Sequence, residues 1–459
     1  METITGEEFE KLLYMENTIS NYIIKLEADY ILDISSLQKL QISSCKFNSK
    51  LVIKDSSTFN SELKPDVFNN KIIDITNCEF LSLRLEHYDD DLFINDVQIE
   101  NFEVTNCKLY DLVCTSNNIQ SEFKLTSCKI TKRAILSGNV FKESSDLIIS
   151  DSEFNGELNL NESHLCNISL FDNKFELFNF SENTVEAFGY FNIGNCKFSK
   201  SYFTLSDFTK FTIFHDCIFE QTFILEKNGN LIHTNLQLLN CRFEKSAYFT
   251  QSAINKIIIE NCFFKDIASF QNSYFLEISI DKTIFDKLAL FDDMQIGKVD
   301  NCDRKTLRNI KQQLQKADNK IDYNRFRNYE LSAYYQELGW GWKSGFKDKF
   351  ILGATLLSTG FDHSWRRALA FTLLIGFSLY ALFFVSENYM LQRDFSQWQE
   401  FLSGYFRFLI VTDFYNPLAE GRTYIDNTNT IGWLIFIFGK IVIAFGIYEM
   451  IQAFRKFKA

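Results

Sequence analysis

The sequence predicts a mainly β chain. We expect a right-handed β-helix solenoid of about twelve coils, then a helical connector and a two-helix transmembrane domain with a re-entrant or interfacial helix. Three observations lead to this fold class: a short motif recurs up to residue 302, the hydrophobic spacing becomes helical from Asp303, and two long apolar runs follow. The predicted parts are an N-terminal cap (1–41), the β-helix (42–302), the connector (303–350) and the transmembrane domain (351–459).

Composition excludes several classes of protein. Phenylalanine supplies 49 of 459 residues, whereas proline occurs only twice and 46% of residues are hydrophobic, so the chain is neither collagen-like nor a disordered polyelectrolyte. The net charge of −12 argues against a generally basic nucleic-acid binder. The acidic start lacks the apolar run of a signal peptide, so we expect a cytosolic N-terminus and eleven reduced cysteines.

Charge is distributed unevenly along the chain. Residues 1–302 carry a net charge of −18, residues 303–349 carry +5, and residues 350–459 carry +1. An acidic block, a basic connector and an apolar block therefore support the division into solenoid, connector and membrane domain.

The repeat in the acidic block has the form apolar-x-x-Cys-x-Phe. The position of the cysteine recurs at intervals of 19 to 33 residues, mostly 21 to 24, and the residue three before it is always apolar or aromatic. Its twelve occupants are Cys45, Cys78, Cys107, Cys128, Ser152, Asn173, Cys196, Cys217, Cys241, Cys262, Thr283 and Cys302. This period suits short strands joined by Asn, Asp or Ser corners, with the Cys and Phe positions stacked inside the coil. Square and triangular cross-sections both remain open.

We find no catalytic or metal-binding pattern in the sequence. No C-x-x-C pair occurs, and His87, His164, His215, His233 and His363 are scattered without the spacing of a metal site or catalytic triad. Interior ladders explain the cysteines better, because a buried cysteine behaves as a small hydrophobic residue. We therefore expect neither enzymatic activity nor a cofactor.

The connector has helical spacing. Leu307, Ile310 and Leu314 fall on one face, and Phe326, Tyr329 and Ala333 repeat the pattern, which predicts two amphipathic helices divided near Asp318-Asn319. Their polar faces are basic. We expect this surface to lie beside anionic lipid headgroups, and the alternative is contact with an anionic ligand or nucleic acid.

Two apolar runs near the C-terminus predict transmembrane helices at about 366–386 and about 430–452. Arg366-Arg367 precedes the first, and the basic residues Arg455, Lys456 and Lys458 follow the second. The positive-inside rule then places both termini in the cytosol, as expected for a multi-pass protein of the cell inner membrane.

Residues 396–418 lie between these spans and form a pore-like segment. Ser396–Val411 is amphipathic but too short and too charged to cross a bilayer, and an order of helix, re-entrant segment and helix resembles the two-helix pore domains of tetrameric channels. The potassium filter sequence TVGYG is absent, and TDFYNPL stands in its place. The alternative is an interfacial helix with no pore.

The second span contains a stripe of small residues and an unexpected charge. Gly432, Gly439, Gly446 and Ala453 recur every seven residues, which favours close helix packing. Lys440 lies near the middle, where an ammonium facing lipid costs about 3 kcal/mol or more. It should therefore face a subunit interface, a carboxylate such as Asp413 or Glu400, or a pore. The candidate pore or gating residues are Lys440, Asp413, Arg407 and Glu449.

The repeats, for which 240–254 (NCRFEKSAYFTQSAI) is a good example, resemble degenerate pentapeptide repeats. The domain order and the terminal IYEMIQAFRKF resemble bacterial pentapeptide-repeat membrane proteins and the membrane effector of Hailong-type anti-phage defence systems. This resemblance implies a homo-oligomeric channel, expected to be a tetramer, held closed by a single-stranded DNA oligomer that a partner nucleotidyltransferase makes. The candidate ligand-binding residues are Lys124, Lys129, Lys132, Arg133, Arg304, Lys305, Arg308 and Lys311. The alternatives are a membrane-anchored scaffold and an acidic DNA mimic, neither of them conducting.

Overall fold

The computed structural model describes the chain apart from residues 27, 57–70, 187–188, 205, 207–210, 228–233, 342–344, 362–363, 392–397, 420–422, 427–428 and 456–459. At 390, 391 and 398–400 it describes the backbone alone. His233, His363, the basic Lys456 and Lys458, residues 396 and 397 of the pore-like segment, and the Glu400 side chain thus lie outside the described residues. The chain divides into two compact units, Met1–Ala317 and Asp318–Ala459.

The first unit is a parallel β-solenoid of about thirteen turns, which confirms the predicted fold class. Each turn contributes strands to two parallel sheets. The first sheet contains Glu2–Thr5, Tyr22–Lys25, Tyr30–Asp33, Lys46–Phe47, Lys50–Lys54, Glu79–Glu86, Gln98–Thr105, Asn118–Thr126, Val140–Phe141, Asp146–Ser150, His164–Leu165, Asn167–Phe171, Thr184–Val185, Tyr190–Gly194, Phe211–His215, Asn235–Leu239, Ala253–Glu260, Tyr274–Asp281 and Gln295–Ile296. The second contains Thr18–Ser20, Lys39–Ser43, Ile72–Thr76, Asp89–Asn95, Lys108–Thr115, Lys129–Ile135, Glu153–Asn161, Lys174–Ser181, Lys197–Thr204, Ile218–Phe219, Phe223–Glu226, Arg242–Phe243, Ala247–Tyr248, Phe263–Phe264, Ala268–Ser269, Ile284–Phe285 and Ala289–Leu290.

The corners of the coil explain why polar residues recur in the repeat. The residue just before the Cys position adopts the left-handed conformation, as at Asn261 (φ 53°) before Cys262. A second corner of the same kind, Asn272 (φ 56°), lies half a turn later. Asn, Asp and Ser occupy most of these corners, because Asn and Asp tolerate positive φ better than other non-glycine residues and Ser is a common turn residue.

Two polar ladders run through the interior, one behind each corner. In the first, the backbone amide of Asn117 donates to the side-chain Oδ1 of Asn139 (3.0 Å), and the backbone amide of Asn139 donates to the hydroxyl of Ser163 (3.2 Å). In the second, the amide of Cys128 donates to the hydroxyl of Ser152 (3.1 Å). Each ladder therefore satisfies buried amides where the backbone turns and the strand ladder is interrupted.

The twelve positions aligned in the sequence repeat come from both of these ladders. Cys45 and Cys78 belong to the first. The backbone amide of Cys45 donates to Sγ of Cys78, and the amide of Gln98 donates to the carbonyl of Cys78. The position above Cys78 is therefore Val97, whose amide donates to Oδ1 of Asn117. Cys107 begins the run of cysteines in the second, where its sulfur accepts from the amide of Tyr88. The interval of 29 residues from Cys78 to Cys107 is therefore one and a half turns, and the repeat passes from one corner to the other.

Inward side chains fill the coil in four pairs per turn. In the turn from Cys262 to Ile280 these pairs are 262 and 264, 268 and 270, 273 and 275, and 278 and 280, all buried. Five- to six-residue spacing between the pairs corresponds to a four-sided coil. Phenylalanines stack from turn to turn, as Phe249 does on Phe270 with centroids 4.9 Å apart and planes 5° from parallel.

Helices cover both ends of the solenoid. Helix α1 (Gly6–Glu16) lies between the first two strands and buries Phe9 against Phe47. The 3₁₀ turn Val299–Asn301 leads into α2 (Arg304–Lys316), where the hydroxyl of Thr306 accepts from the amide of Ile280 (2.8 Å). The Gln313 side chain likewise accepts from the amide of Ala289 (3.3 Å). These bonds satisfy amides that no further strand would pair.

The second unit is helical. It contains α3 (Lys320–Glu337), α4 (Phe346–Ser358), α5 (Trp365–Leu391), α6 (Trp398–Leu409) and α7 (Thr430–Arg455). The two predicted connector helices correspond to α2 and α3, so that the division between the compact units falls between them. Helices α5 and α7 are long and apolar enough to cross a membrane, which agrees with the predicted spans in position.

Candidate functional site

Helix α6 runs antiparallel to α5 and packs along it. Near the start of α6, the carbonyl of Phe401 accepts from the hydroxyl of Tyr380 (2.8 Å). One turn later, the hydroxyl of Tyr405 donates to the carbonyl of Leu373 (2.8 Å). The partners on α5 move toward its N-terminus as α6 advances, so α6 descends beside α5.

The C-terminal end of α6 reaches the middle of both long helices. A Cβ atom at Gly376 would lie 3.0 Å from Cδ2 of Leu409, the last residue of α6, and 3.6 Å from Cγ1 of Ile443. Gly376 and Ile443 lie within two residues of the midpoints of α5 and α7. Helix α6 therefore ends half-way along the pair.

After α6 the chain turns back toward the level at which α6 began. Asn416 Nδ2 donates to one oxygen of Glu387 (2.8 Å), and Asn429 Nδ2 donates to the other (2.7 Å). Glu387 lies four residues before the end of α5, and Asn429 directly precedes α7. The three side chains are buried. Helix α6 and the residues up to Asn416 thus form a hairpin closed by a carboxylate between two amides.

Lys440 fixes the tip of this hairpin. Its ammonium donates to the carbonyls of Phe408 (2.9 Å) and Ile410 (2.6 Å), which lie at the end of α6. It also lies 4.9 Å from the ring centroid of Phe436 and 5.4 Å from that of Phe408. Asp413 acts on it electrostatically. Lys440 is 5% exposed. Although it belongs to α7, its ammonium lies at the C-terminus of α6, where a positive charge is favourable.

The small-residue stripe of α7 faces helices of its own chain. A Cβ at Gly439 would lie 2.5 Å from the ring of Phe408, and one at Gly446 would lie 2.1 Å from the Thr372 hydroxyl oxygen. Gly432 stands against Asn429, and Ala453 is also buried. Any larger side chain at Gly439 or Gly446 would force α6 or α5 away.

The remaining pore and gating candidates lie in three different places. Glu449, 4% exposed, accepts from the hydroxyl of Thr359 (3.1 Å), which follows α4. Asp413 is half-buried just after α6 and accepts from the amide of Tyr415 (3.1 Å). Arg407 is exposed on α6.

The basic residues proposed for the solenoid do not form one cluster. Lys124 lies in the first sheet, beside Glu103. Lys129, Lys132 and Arg133 lie in the second sheet. Both Lys132 (3.4 Å) and Arg133 (3.1 Å) contact the carboxylate of Asp111. This part of the surface therefore has mixed charge.

The basic residues of α2 share a helix that covers the end of the solenoid. Lys305 and Arg308 are exposed, whereas Arg304 and Lys311 are half-buried. Lys305 lies 4.0 Å from Asp281.

Sequence analysis missed the carboxylate–amide group of Glu387, Asn416 and Asn429. A signal was available: Glu387 directly follows the first apolar run, and an acidic residue at the end of a span needs a partner. Within the described residues, no group of three or more His, Cys, Asp or Glu side chains is arranged to hold a metal ion.

Comparison with known proteins gives no match to any protein-family model, any curated protein or any solved structure.

Proposed function

We propose that the chain is a subunit of a homo-oligomeric ion channel of the cell inner membrane, most simply a tetramer, with both termini in the cytosol. One observation carries this proposal. The hairpin, which consists of α6 and the return to Asn416, reaches the midpoints of α5 and α7, and Lys440 holds its tip there. An irregular segment is tolerated at membrane depth only where protein or a water-filled cavity surrounds it. A single pair of long helices cannot enclose such a cavity, so several copies are needed.

A conductance measurement tests the proposal. Purified full-length protein in planar bilayers should give discrete current steps, and a non-conducting scaffold or DNA mimic should give none. To locate the pore, we would use Thr412→Cys, since Thr412 is exposed in the returning segment and the native cysteines are buried.

The cysteine variant has a matched control. A charged, membrane-impermeant thiol reagent should block Thr412→Cys channels and leave wild-type channels open. Leu374→Cys places the thiol on an exposed, apolar side of α5 and should resist the reagent. Conductance in which Thr412→Cys is never blocked would place the pore elsewhere.

We further propose that the solenoid gates the channel and that a bound single-stranded DNA oligomer keeps it closed, in the manner of an anti-phage effector. The support is the resemblance in domain order together with the exposed basic residues of α2. The net charge of −18 on residues 1–302 requires a local basic surface for any such ligand.

Binding of a short single-stranded DNA to the full-length protein can be measured by fluorescence anisotropy at several salt concentrations. Lys305→Glu with Arg308→Glu should weaken binding and flatten its salt dependence if α2 holds the ligand. Lys129→Glu with Arg133→Glu tests the second-sheet residues in the same way. Binding unaffected by both double variants would exclude both surfaces, and no binding at all would exclude DNA as the regulator.

A further inference from the structure

Arg407 lies at the same depth as Lys440 but is placed very differently. It directly precedes Phe408, whose carbonyl Lys440 binds, and it lies two residues before Leu409, whose side chain meets the midpoints of α5 and α7. At 1.5 Å per residue, Arg407 is about 3 Å along the axis from the end of α6. If α5 and α7 span the membrane, Arg407 is near the middle of it.

The Arg407 side chain is turned away from its own chain. It is exposed together with Ser403 and Phe406, its neighbours on α6, and with Ile410 just after the helix. The opposite face of α6 carries the buried Tyr405 and Phe408. In the part of the chain that the structure describes, the Arg407 guanidinium has no ion pair or hydrogen bond, whereas Lys440 already has two carbonyls and the nearby charge of Asp413.

A guanidinium stays protonated in proteins, so Arg407 cannot escape the cost of its position by losing its charge. Facing lipid at mid-membrane would be very unfavourable. Residues of this kind face a water-filled cavity or a charged partner. Because the opposite face of α6 already packs against α5 and α7, the open face is the one left to meet water or other copies of the hairpin in an oligomer.

We infer that Arg407 lines the pore and that the permeant ions are anions. This inference rests on the proposed channel function. A ring of arginines, one from each subunit, attracts anions and repels cations at the narrowest depth of the hairpin. Lys440, by contrast, contributes to selectivity only indirectly, because its charge is taken up by the end of α6.

The test is the reversal potential of single channels in a tenfold gradient of KCl. The wild-type reversal potential should be shifted from zero toward the equilibrium potential of chloride, whose limit for a perfectly selective monovalent pore is about 59 mV in magnitude. Arg407→Gln should lose the chloride preference, and Arg407→Lys should retain it. Arg366→Gln, which removes an exposed arginine at the start of α5, should leave the reversal potential unchanged.

A second variant keeps the test independent of how Arg407→Gln folds. Arg407→Cys should lose the chloride preference and regain it when a positively charged thiol reagent restores the charge, while a negatively charged reagent should favour potassium. The buried native cysteines leave this thiol as the accessible one.

Cation-selective wild-type channels would overturn the inference, as would an unchanged reversal potential in Arg407→Gln. If Arg407→Gln gave no current and ran as a monomer on size exclusion, while Arg407→Lys kept both oligomer and current, Arg407 would be a subunit contact instead. In each of these cases the wild-type protein still conducts, so the channel proposal survives. Absence of current from the wild-type protein would remove both.

Discussion

The ammonium of Lys440 donates a hydrogen bond to the backbone carbonyl of Phe408, 2.9 Å away, and so joins the middle of α7 to the end of α6. The last carbonyls of a helix have no partner within it and are normally met by water or by a capping group. In an apolar environment water is absent, and Lys440 serves both Phe408 and Ile410. A residue that looks like a pore charge in the sequence therefore acts as a helix cap.

We expect Lys440→Met to destabilise the helical unit without altering ion preference. The buried carbonyl of Phe408 loses its donor, at about 1–3 kcal/mol, and the part-buried carbonyl of Ile410 loses its donor at a smaller cost. Thermal unfolding in detergent should show the loss, and the reversal potential should match that of the wild type. Lys347→Met, on the exposed side of α4, is the matched control and should unfold like the wild type. A changed ion preference with unchanged stability would place the ammonium in the pore.

The bond between Glu387 and Asn416 should be measurable in a double-mutant cycle. Glu387→Gln and Asn416→Ala should each destabilise the protein, because each leaves a buried polar group unpaired. Residues in direct contact couple by about 0.5–3 kcal/mol, so the double variant should lose less than the sum of the two. Strict additivity would show that the two groups do not interact.

In the solenoid, the adjacent residues Tyr248 and Phe249 allow an outward-facing side chain to be compared with an inward-facing one. Phe249 is fully buried and stacks on Phe270, whereas Tyr248 is 36% exposed. Phe249→Ala should cost about 3–5 kcal/mol, since it leaves a cavity in the aromatic column. Tyr248→Ala should cost clearly less. Denaturant unfolding of the two variants makes the comparison, and equal losses would contradict the assigned strand register.

The sequence predicted the solenoid because its signal is repeated in every turn. Alternation at the Phe positions and polar residues at the corners recur often enough to survive local exceptions such as Lys282, a lysine at positive φ. The assignment of Cys45 and Cys78 was less accurate. A motif of six residues fits either corner of a coil, and only the hydrogen bonds between turns distinguish the two ladders.

The position of the hairpin was harder to foresee from the sequence. Amphipathicity indicated a short helix at 396–411, but two structures remained possible, a re-entrant segment and an interfacial helix. The depth of α6 depends on contacts between residues far apart in the chain, such as Gly376 with Leu409 and Glu387 with Asn429. Sequence periodicity carries no information on such pairs.

The cysteines of the solenoid should be unreactive until the protein unfolds. All eleven are buried, which keeps a reagent from their sulfurs. Burial also raises the pKa of the Cys196 thiol to about 11, which leaves on the order of 0.1% of that residue as thiolate at pH 8. At Cys45, a hydrogen bond with Cys78 lowers the pKa to about 7, so burial alone protects this thiol. A chromogenic disulfide reagent should therefore label none of them in the native protein and all of them in guanidinium. Ser36→Cys, at an exposed position, should react at once and serves as the control.

The same pKa shift gives a pH dependence of stability. The folded-state pKa of Cys196 lies above the usual value of about 8.5, so the unfolded chain releases this proton first as the pH rises. The contribution of the thiol to stability is complete below about pH 8.5 and is lost as the pH approaches about 11. Denaturation midpoints measured across this range should fall in the wild type and fall less in Cys196→Ser. In the labelling experiment, rapid reaction of the native cysteines at pH 8 would contradict their assignment to the interior of the solenoid.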